Sequence, residues 1–129
     1  MKEIYKQHGA FSWFELMTTD VESAKKFYTE IFGWQTEDMP MENMTYTVAK
    51  IGDEGVGGMM LLPPEAEGAP PHWGVYVTVD DVDATAARAE ELGGKIHMPP
   101  TDIPNVGRFC VLQDPQGAFF SAITYTMEE

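Results

Sequence analysis

The chain repeats its own opening. Trp13-Phe14-Glu15-Leu16-Met17-Thr18-Thr19-Asp20-Val21 is answered about sixty residues later by Trp73-Gly74-Val75-Tyr76-Val77-Thr78-Val79-Asp80-Asp81-Val82. In both stretches a period-two run of β-forming residues reaches an acidic residue and gives way to helical periodicity. Such an echo confines the chain to two like modules, neither large enough to be a domain alone.

In the first helical stretch Ala24, Phe27, Tyr28, Ile31 and Phe32 follow the spacing i, i+3, i+4, i+7, i+8, one broad apolar stripe that needs a sheet to cover. Thr19 with Glu22 fits a capping box, Asp20 is the other candidate cap, and Gly33 stands where a left-handed C-cap is wanted. The second helix starts near Asp81 or Val82, sets Val82, Ala86, Ala89 and Leu92 on one face, and stops at Gly93-Gly94.

Short strand candidates follow each helix. They are Gln35 to Met39, Met44 to Ile51 and Val56 to Leu62 in the first half, then Lys95 to Met98, Arg108 to Leu112 and Ala118 to Thr124 in the second. Gly52-Asp53-Glu54-Gly55 and Asp114-Pro115-Gln116-Gly117 supply turns between them. Each half reads βαβββ. The expected organisation is a single domain, 1–129, with module one at about 9–62, a Pro-rich connector at 63–71 and module two at about 72–125.

Eight Lys and Arg against 21 Asp and Glu give a formal charge of −13, which repels nucleic-acid backbones and anionic membranes. The single Cys110 has no intrachain disulfide partner, the first residues form no apolar signal segment, and no apolar run approaches bilayer length. A cytoplasmic protein with neither a nucleic-acid nor a membrane partner is expected.

The tandem βαβββ plan, with Phe27-Tyr28 in the first helix, Phe32-Gly33-Trp34 at its end and Asp114-Pro115-Gln116-Gly117 before the last strand, resembles the vicinal oxygen chelate superfamily. That group includes glyoxalase I, bleomycin-resistance proteins and extradiol dioxygenases. The resemblance runs from about Phe11 to Tyr125 and implies an α+β fold of the glyoxalase/bleomycin-resistance type, its two modules forming a curved-sheet cup. Helices would cover one sheet face and ligand the other.

The resemblance also implies four metal-ligand positions, and here the sequence departs from the pattern. Counting from the helix-opening and turn aspartates, they fall on Trp13, on Met60 or its same-face neighbour Gly58, on Trp73 or Gly74, and on Ser121. None offers an imidazole or carboxylate, so no metal and no other cofactor is expected. His8, His72 and His97 do not converge under strand alternation.

With those ligands replaced, the resemblance makes the cup floor aromatic, and Trp13 and Trp73 would flank a planar or hydrophobic guest, core packing being the competing role. Glu15, two residues after Trp13, shares its strand face. A carboxylate there meets a cation, accepts hydrogen bonds or takes up a proton, and could act as general base or acid. A salt bridge with Arg108 and a solvated rim position are its structural alternatives. Arg108 could instead clamp a ligand carboxylate or phosphate. Tyr46, Met44, Met59 and Met60 add apolar lining, Ser121 offers a hydrogen bond, and Cys110 reads as a small core residue.

Two function classes emerge, with a ligand-sensing or partner-binding module as a third. The first is a binding protein holding a small organic molecule in an aromatic, acidic cup through Trp13, Glu15, Tyr46, Met60, Trp73, Arg108 and Ser121. The alternative is an enzyme of lyase, isomerase or dioxygenase type using Glu15 or an unrecognised metal site. Either is expected to work as a homodimer.

Overall fold

The computed structural model describes residues 2–41, 44–63 and 69–126. The chain is α+β, and its elements run β1 (Phe11–Thr18), α1 (Val21–Phe32), β2 (Gln35–Pro40), β3 (Thr45–Ile51), β4 (Glu54–Leu61), β5 (His72–Thr78), α2 (Val82–Glu91), β6 (Lys95–Ile103), β7 (Gly107–Gln113) and β8 (Phe119–Tyr125). This is βαβββ twice. Two compact units result, Trp13–Gly74 and Met1–Ser12 with Val75–Glu129.

In the first unit the strand order is β2-β3-β4-β1, with β1 and β4 parallel. Asp20, not Thr19, starts α1: from an extended backbone its carboxylate accepts the Ser23 N–H at 3.0 Å. Gly33, at φ 72°, ends the helix in the left-handed conformation. Leu16, Ala49 and Met59 form the buried floor, against which Val21, Ala24, Tyr28, Trp34 and Val56 pack.

The apolar stripe of α1 is only partly covered, contrary to the pattern's demand. Phe27, Ile31 and Phe32 stay 57%, 53% and 59% exposed. The covered face centres on Val21, Ala24 and Tyr28, and Phe27 lies about a quarter turn away from it. Ile31 and Phe32 belong to the last turn, beyond the small floor.

In the second unit the order is β5-β8-β7-β6, with β5 and β8 parallel. Asp81 caps α2 by accepting the Ala84 N–H. Val79, Val82, Ala86, Cys110, Leu112 and Ala122 make its core. Leu92 does not join that core. It is the C-cap residue and is 62% exposed, because the helix has ended before its side chain can turn inward. β6 runs through Pro99-Pro100 to Ile103, longer than its sequence suggests, and register shifts absorb the prolines. In the turn before β8, Asp114 Oδ1 accepts the Gln116 and Ala118 N–H groups while Gly117 takes φ 106°.

The N-terminal segment is anchored in this second unit. Gly9 N–H donates to Thr78 O, Thr78 N–H to Ala10 O, and the Thr78 hydroxyl to Ile4 O at 2.6 Å. The Tyr5 ring meets Tyr125 edge-on at 4.9 Å, and the Ser12 and Tyr125 hydroxyls lie 2.9 Å apart. Burial pushes the Tyr125 phenol up to about 12.

The two modules share one lattice of positions. Glu15 pairs with Gly58, which pairs with Val48; Tyr76 pairs with Ser121, which pairs with Val111. With Asp20 and Asp81 as equivalent caps, Glu15 corresponds to Tyr76, Trp13 to Gly74, Tyr46 to Phe109, and Ala49 and Gly57 to Leu112 and Phe120. Each module thus serves as a control for the other.

Candidate functional site

Alternation along β1 sends Leu16 toward α1 and sends Trp13 and Glu15 to the opposite sheet face. On that face Tyr46 Oη donates to Glu15 Oε2 at 2.7 Å and accepts from Trp13 Nε1 at 2.8 Å. The phenol has one proton, and it points at the carboxylate. Glu15 is 6% exposed, so this hydrogen bond offsets part of the cost of removing a carboxylate from water.

The arrangement depends on a glycine. β4 lies between β3 and β1, and a Cβ on Gly58 would collide with the hydroxyl end of Tyr46. The phenol therefore crosses β4 over bare backbone. Met60, one alternation further along β4, is half-buried, whereas Met59 is turned to the α1 core and cannot line this face. In the second module the same positions hold an aromatic pair, Tyr76 and Phe109, with centroids 6.3 Å apart. The carboxylate at this position is particular to module one.

Trp73 does not join Trp13. Its indole N–H donates to the Tyr28 hydroxyl at 3.2 Å, and its ring meets Tyr28 and Trp34 nearly at right angles, on the α1 side of the sheet. The sequence count starting from Asp80 misassigned it. Asp81 is the real cap, and Gly74 is the counterpart of Trp13.

Arg108 is paired with two aspartates and not with Glu15. Its guanidinium donates Nε and Nη2 to Asp83 at 2.9 and 3.0 Å, and Nη1 to Asp102 at 3.1 Å. These bonds raise its pKa further and hold Asp83 below the usual carboxylate range. Strand alternation sets Arg108 on the α2 side with Cys110 and Leu112. Ser121 is buried opposite Val111 and Tyr76. Cys110 is fully enclosed, and burial pushes its thiol up.

The residues at the family's metal positions do not fit a divalent ion. An indole at Trp13, no side chain at Gly58 or Gly74, a thioether at Met60 and a hydroxyl at Ser121 make no Zn, Ni or Fe ligand set. Among the described residues no three His, Cys, Asp or Glu side chains gather. The histidines have separate partners: His8 Nδ1 accepts Asp80 N–H, His72 contacts Pro70 O, and His97 contacts Gln113.

Sequence reasoning put Trp13 and Glu15 on one strand face and named Tyr46 beside them, but not the bridge by which the Tyr46 hydroxyl joins the two. It missed the aromatic group of Tyr28, Trp34 and Trp73. The available signal for that group was Trp34 directly after the helix-ending glycine.

Comparison with known proteins agrees with this fold. Residues 10–121 match the family model of the Glyoxalase/Bleomycin resistance protein/Dioxygenase superfamily. The chain belongs to that superfamily. It is 45% identical over 121 residues to CFP32 of Mycobacterium tuberculosis, a protein with a provisional glyoxylase designation, covering 93% of this chain and 46% of that one. It is 39% identical over 115 residues to the anthracycline biosynthesis protein DnrV of Streptomyces peucetius, covering 89% and 41%. The chain thus spans less than half the length of these curated relatives. A methylmalonyl-CoA epimerase of Streptomyces coelicolor superposes with a TM-score of 0.66 at 19% identity, over 95% and 99% of the two chains, a likeness of fold alone.

Proposed function

We propose that the chain binds a small organic molecule against the Trp13, Glu15, Tyr46 and Met60 face of its first module, without a divalent metal. The observation that carries this reading is a carboxylate almost removed from water, held by a phenol that is itself held by an indole. Nothing in the fold demands these groups, because module two builds the same positions from Tyr76, Phe109 and Gly74. Such a face suits a flat guest with a cationic or hydrogen-bond-donating edge: aromatic area supplies burial and Glu15 supplies orientation. The net charge of −13 favours approach of a cation. Ser121 offers a hydroxyl on the corresponding face of module two.

The name of one relative, an anthracycline biosynthesis protein, guides the choice of probe to a fused-ring cation such as doxorubicin. Tryptophan fluorescence titrated with doxorubicin in EDTA should saturate at one equivalent. Glu15→Gln should weaken binding about tenfold or more, the scale of a charge-assisted hydrogen bond. Unsaturable binding, or equal affinity in Glu15→Gln, would count against the proposal.

The contact from the Tyr46 hydroxyl to the Glu15 carboxylate favours a second reading, an enzyme of lyase or isomerase type with Glu15 as general base. The hemithioacetal of methylglyoxal and glutathione is a fitting probe. Turnover that collapses in Glu15→Gln while binding survives would select the enzyme. Assembly as a homodimer belongs to the same proposal, the exposed Phe27 and Ile31 on α1 being apolar surface for a second copy. Among the described residues no helix is long and apolar enough to cross a membrane, and we propose a cytoplasmic site of action.

A further inference from the structure

Residues 4–10 lie as a strap against the junction of β5 and α2, and one of the bonds that hold them there differs chemically from the rest. Gly9 N–H donates to Thr78 O at 2.7 Å, Thr78 N–H to Ala10 O at 2.8 Å, and the Thr78 hydroxyl to Ile4 O at 2.6 Å. None of these groups titrates near neutrality. The remaining tie runs from the Asp80 N–H to His8 Nδ1 at 3.0 Å.

A backbone N–H only donates, so Nδ1 is the ring nitrogen without a proton, and the bond selects the neutral tautomer with its hydrogen on Nε2. A protonated imidazole carries hydrogen on both nitrogens and has no lone pair left for the Asp80 amide. Two N–H groups would then face each other. Histidine is the side chain that ordinarily changes charge between about pH 5 and 8. The closed strap binds the neutral ring, so uptake of a proton favours the open form.

Asp80 also offers the protonated ring somewhere to turn. Its Oδ2 lies 3.7 Å from the same Nδ1, beyond hydrogen-bond length for the neutral ring. The two side chains are 59% and 79% exposed, so an ion pair between them is screened by water and gains little. The neighbouring acids of α2 are committed elsewhere, Asp81 to the Ala84 N–H and Asp83 to Arg108. Lys2, Glu3 and Lys6 are the charges of the strap's own segment. From β8 the strap meets Tyr125, whose phenol, pushed up to about 12, stays protonated throughout this range.

We infer that residues 4–10 form a proton-operated strap: neutral His8 closes it on the junction of β5 and α2, and protonated His8 gives up the Asp80 amide and lets it lift. Thr78, 3% exposed in the closed form, and the Tyr5–Tyr125 ring contact at 4.9 Å are what lifting uncovers. The device is local, because the core of the unit around Cys110 and Leu112 takes no part in it. It does not rest on the Glu15 face.

Amide hydrogen exchange followed by NMR on the full chain, with rates divided by their intrinsic values, tests it. From pH 8 to pH 5 the protection of the Asp80, Thr78 and Gly9 amides should fall at least fivefold, in step with the His8 ring shift, while amides of β7 keep theirs. His8→Asn places an acceptor oxygen near the position of Nδ1 and cannot titrate, so it should abolish the step. His8→Phe, with no acceptor, should leave the Asp80 amide poorly protected at both pH values. Asp80→Asn keeps the amide and removes the carboxylate, and it should retain the step. Protection unchanged between pH 5 and 8, a step that survives in His8→Asn, a step lost in Asp80→Asn, or an equal loss in β7 would each overturn the inference.

Discussion

Tyr46 reaches Glu15 from two strands away: its hydroxyl leaves β3, crosses β4 at Gly58 and lies 2.7 Å from Glu15 Oε2 on β1. A single contact therefore ties together three strands and depends on a missing side chain. It also orients the phenol, because the Trp13 N–H uses the oxygen as acceptor and leaves the proton for the carboxylate.

Gly58→Ala should displace Tyr46 from β4, since the new methyl group would fall on the ring. We expect a loss of about 1 to 3 kcal/mol, the cost of leaving a buried polar group without its partner. Urea unfolding followed by circular dichroism measures it. Stability equal to wild type would show that the phenol has room to spare.

Tyr46→Phe separates the hydrogen bonds from the ring. Packing is retained, while Glu15 loses a donor and the Trp13 indole loses an acceptor. Destabilisation of about 1 to 3 kcal/mol is expected, with altered tryptophan emission. An unchanged emission spectrum and midpoint would remove the Trp13-Tyr46-Glu15 chain as an energetic unit.

The Arg108 cluster predicts a pH dependence. Arg108 holds the Asp83 pKa below its ordinary 3.8 in the folded chain. A depressed carboxylate pKa contributes stability above the unfolded value and loses it as pH falls through the folded one. Arg108→Ala should therefore melt below wild type near neutrality, and the two curves should converge in acid. The group is exposed, so salt should narrow the difference. A gap that persists at pH 2 would assign the effect to packing.

Cys110 should be inert in the native state. It is enclosed, and desolvation raises its pKa above the usual 9.0, which suppresses the thiolate. Iodoacetamide labelling at pH 8 should follow the urea unfolding curve. Labelling at the same rate without denaturant would place the thiol in contact with solvent.

Much of the fold was legible because it is written locally and twice. Asp20 and Asp81 as caps, Gly33 as terminator and the Asp114-Gly117 turn each act within a few residues, and the repeat makes one half check the other. The site was less legible for equally physical reasons. A count from Asp80 instead of Asp81 moves a strand residue to the opposite sheet face, which is how Trp73 came to be paired with Trp13. Arg108 lies beside Asp83 only because a helix and a strand distant in sequence meet. The role of Gly58 is a relation across three strands, and no local pattern announces it.

The most direct check on the binding face is a crystal structure of the chain grown with doxorubicin in the presence of EDTA. The guest should lie against Trp13 with a donor within hydrogen-bond distance of Glu15, and Tyr46 should keep its contact with Oε2. A guest bound elsewhere, with the Glu15 and Tyr46 face empty, would contradict the proposal; so would a structure without EDTA showing a divalent metal ligated by Glu15.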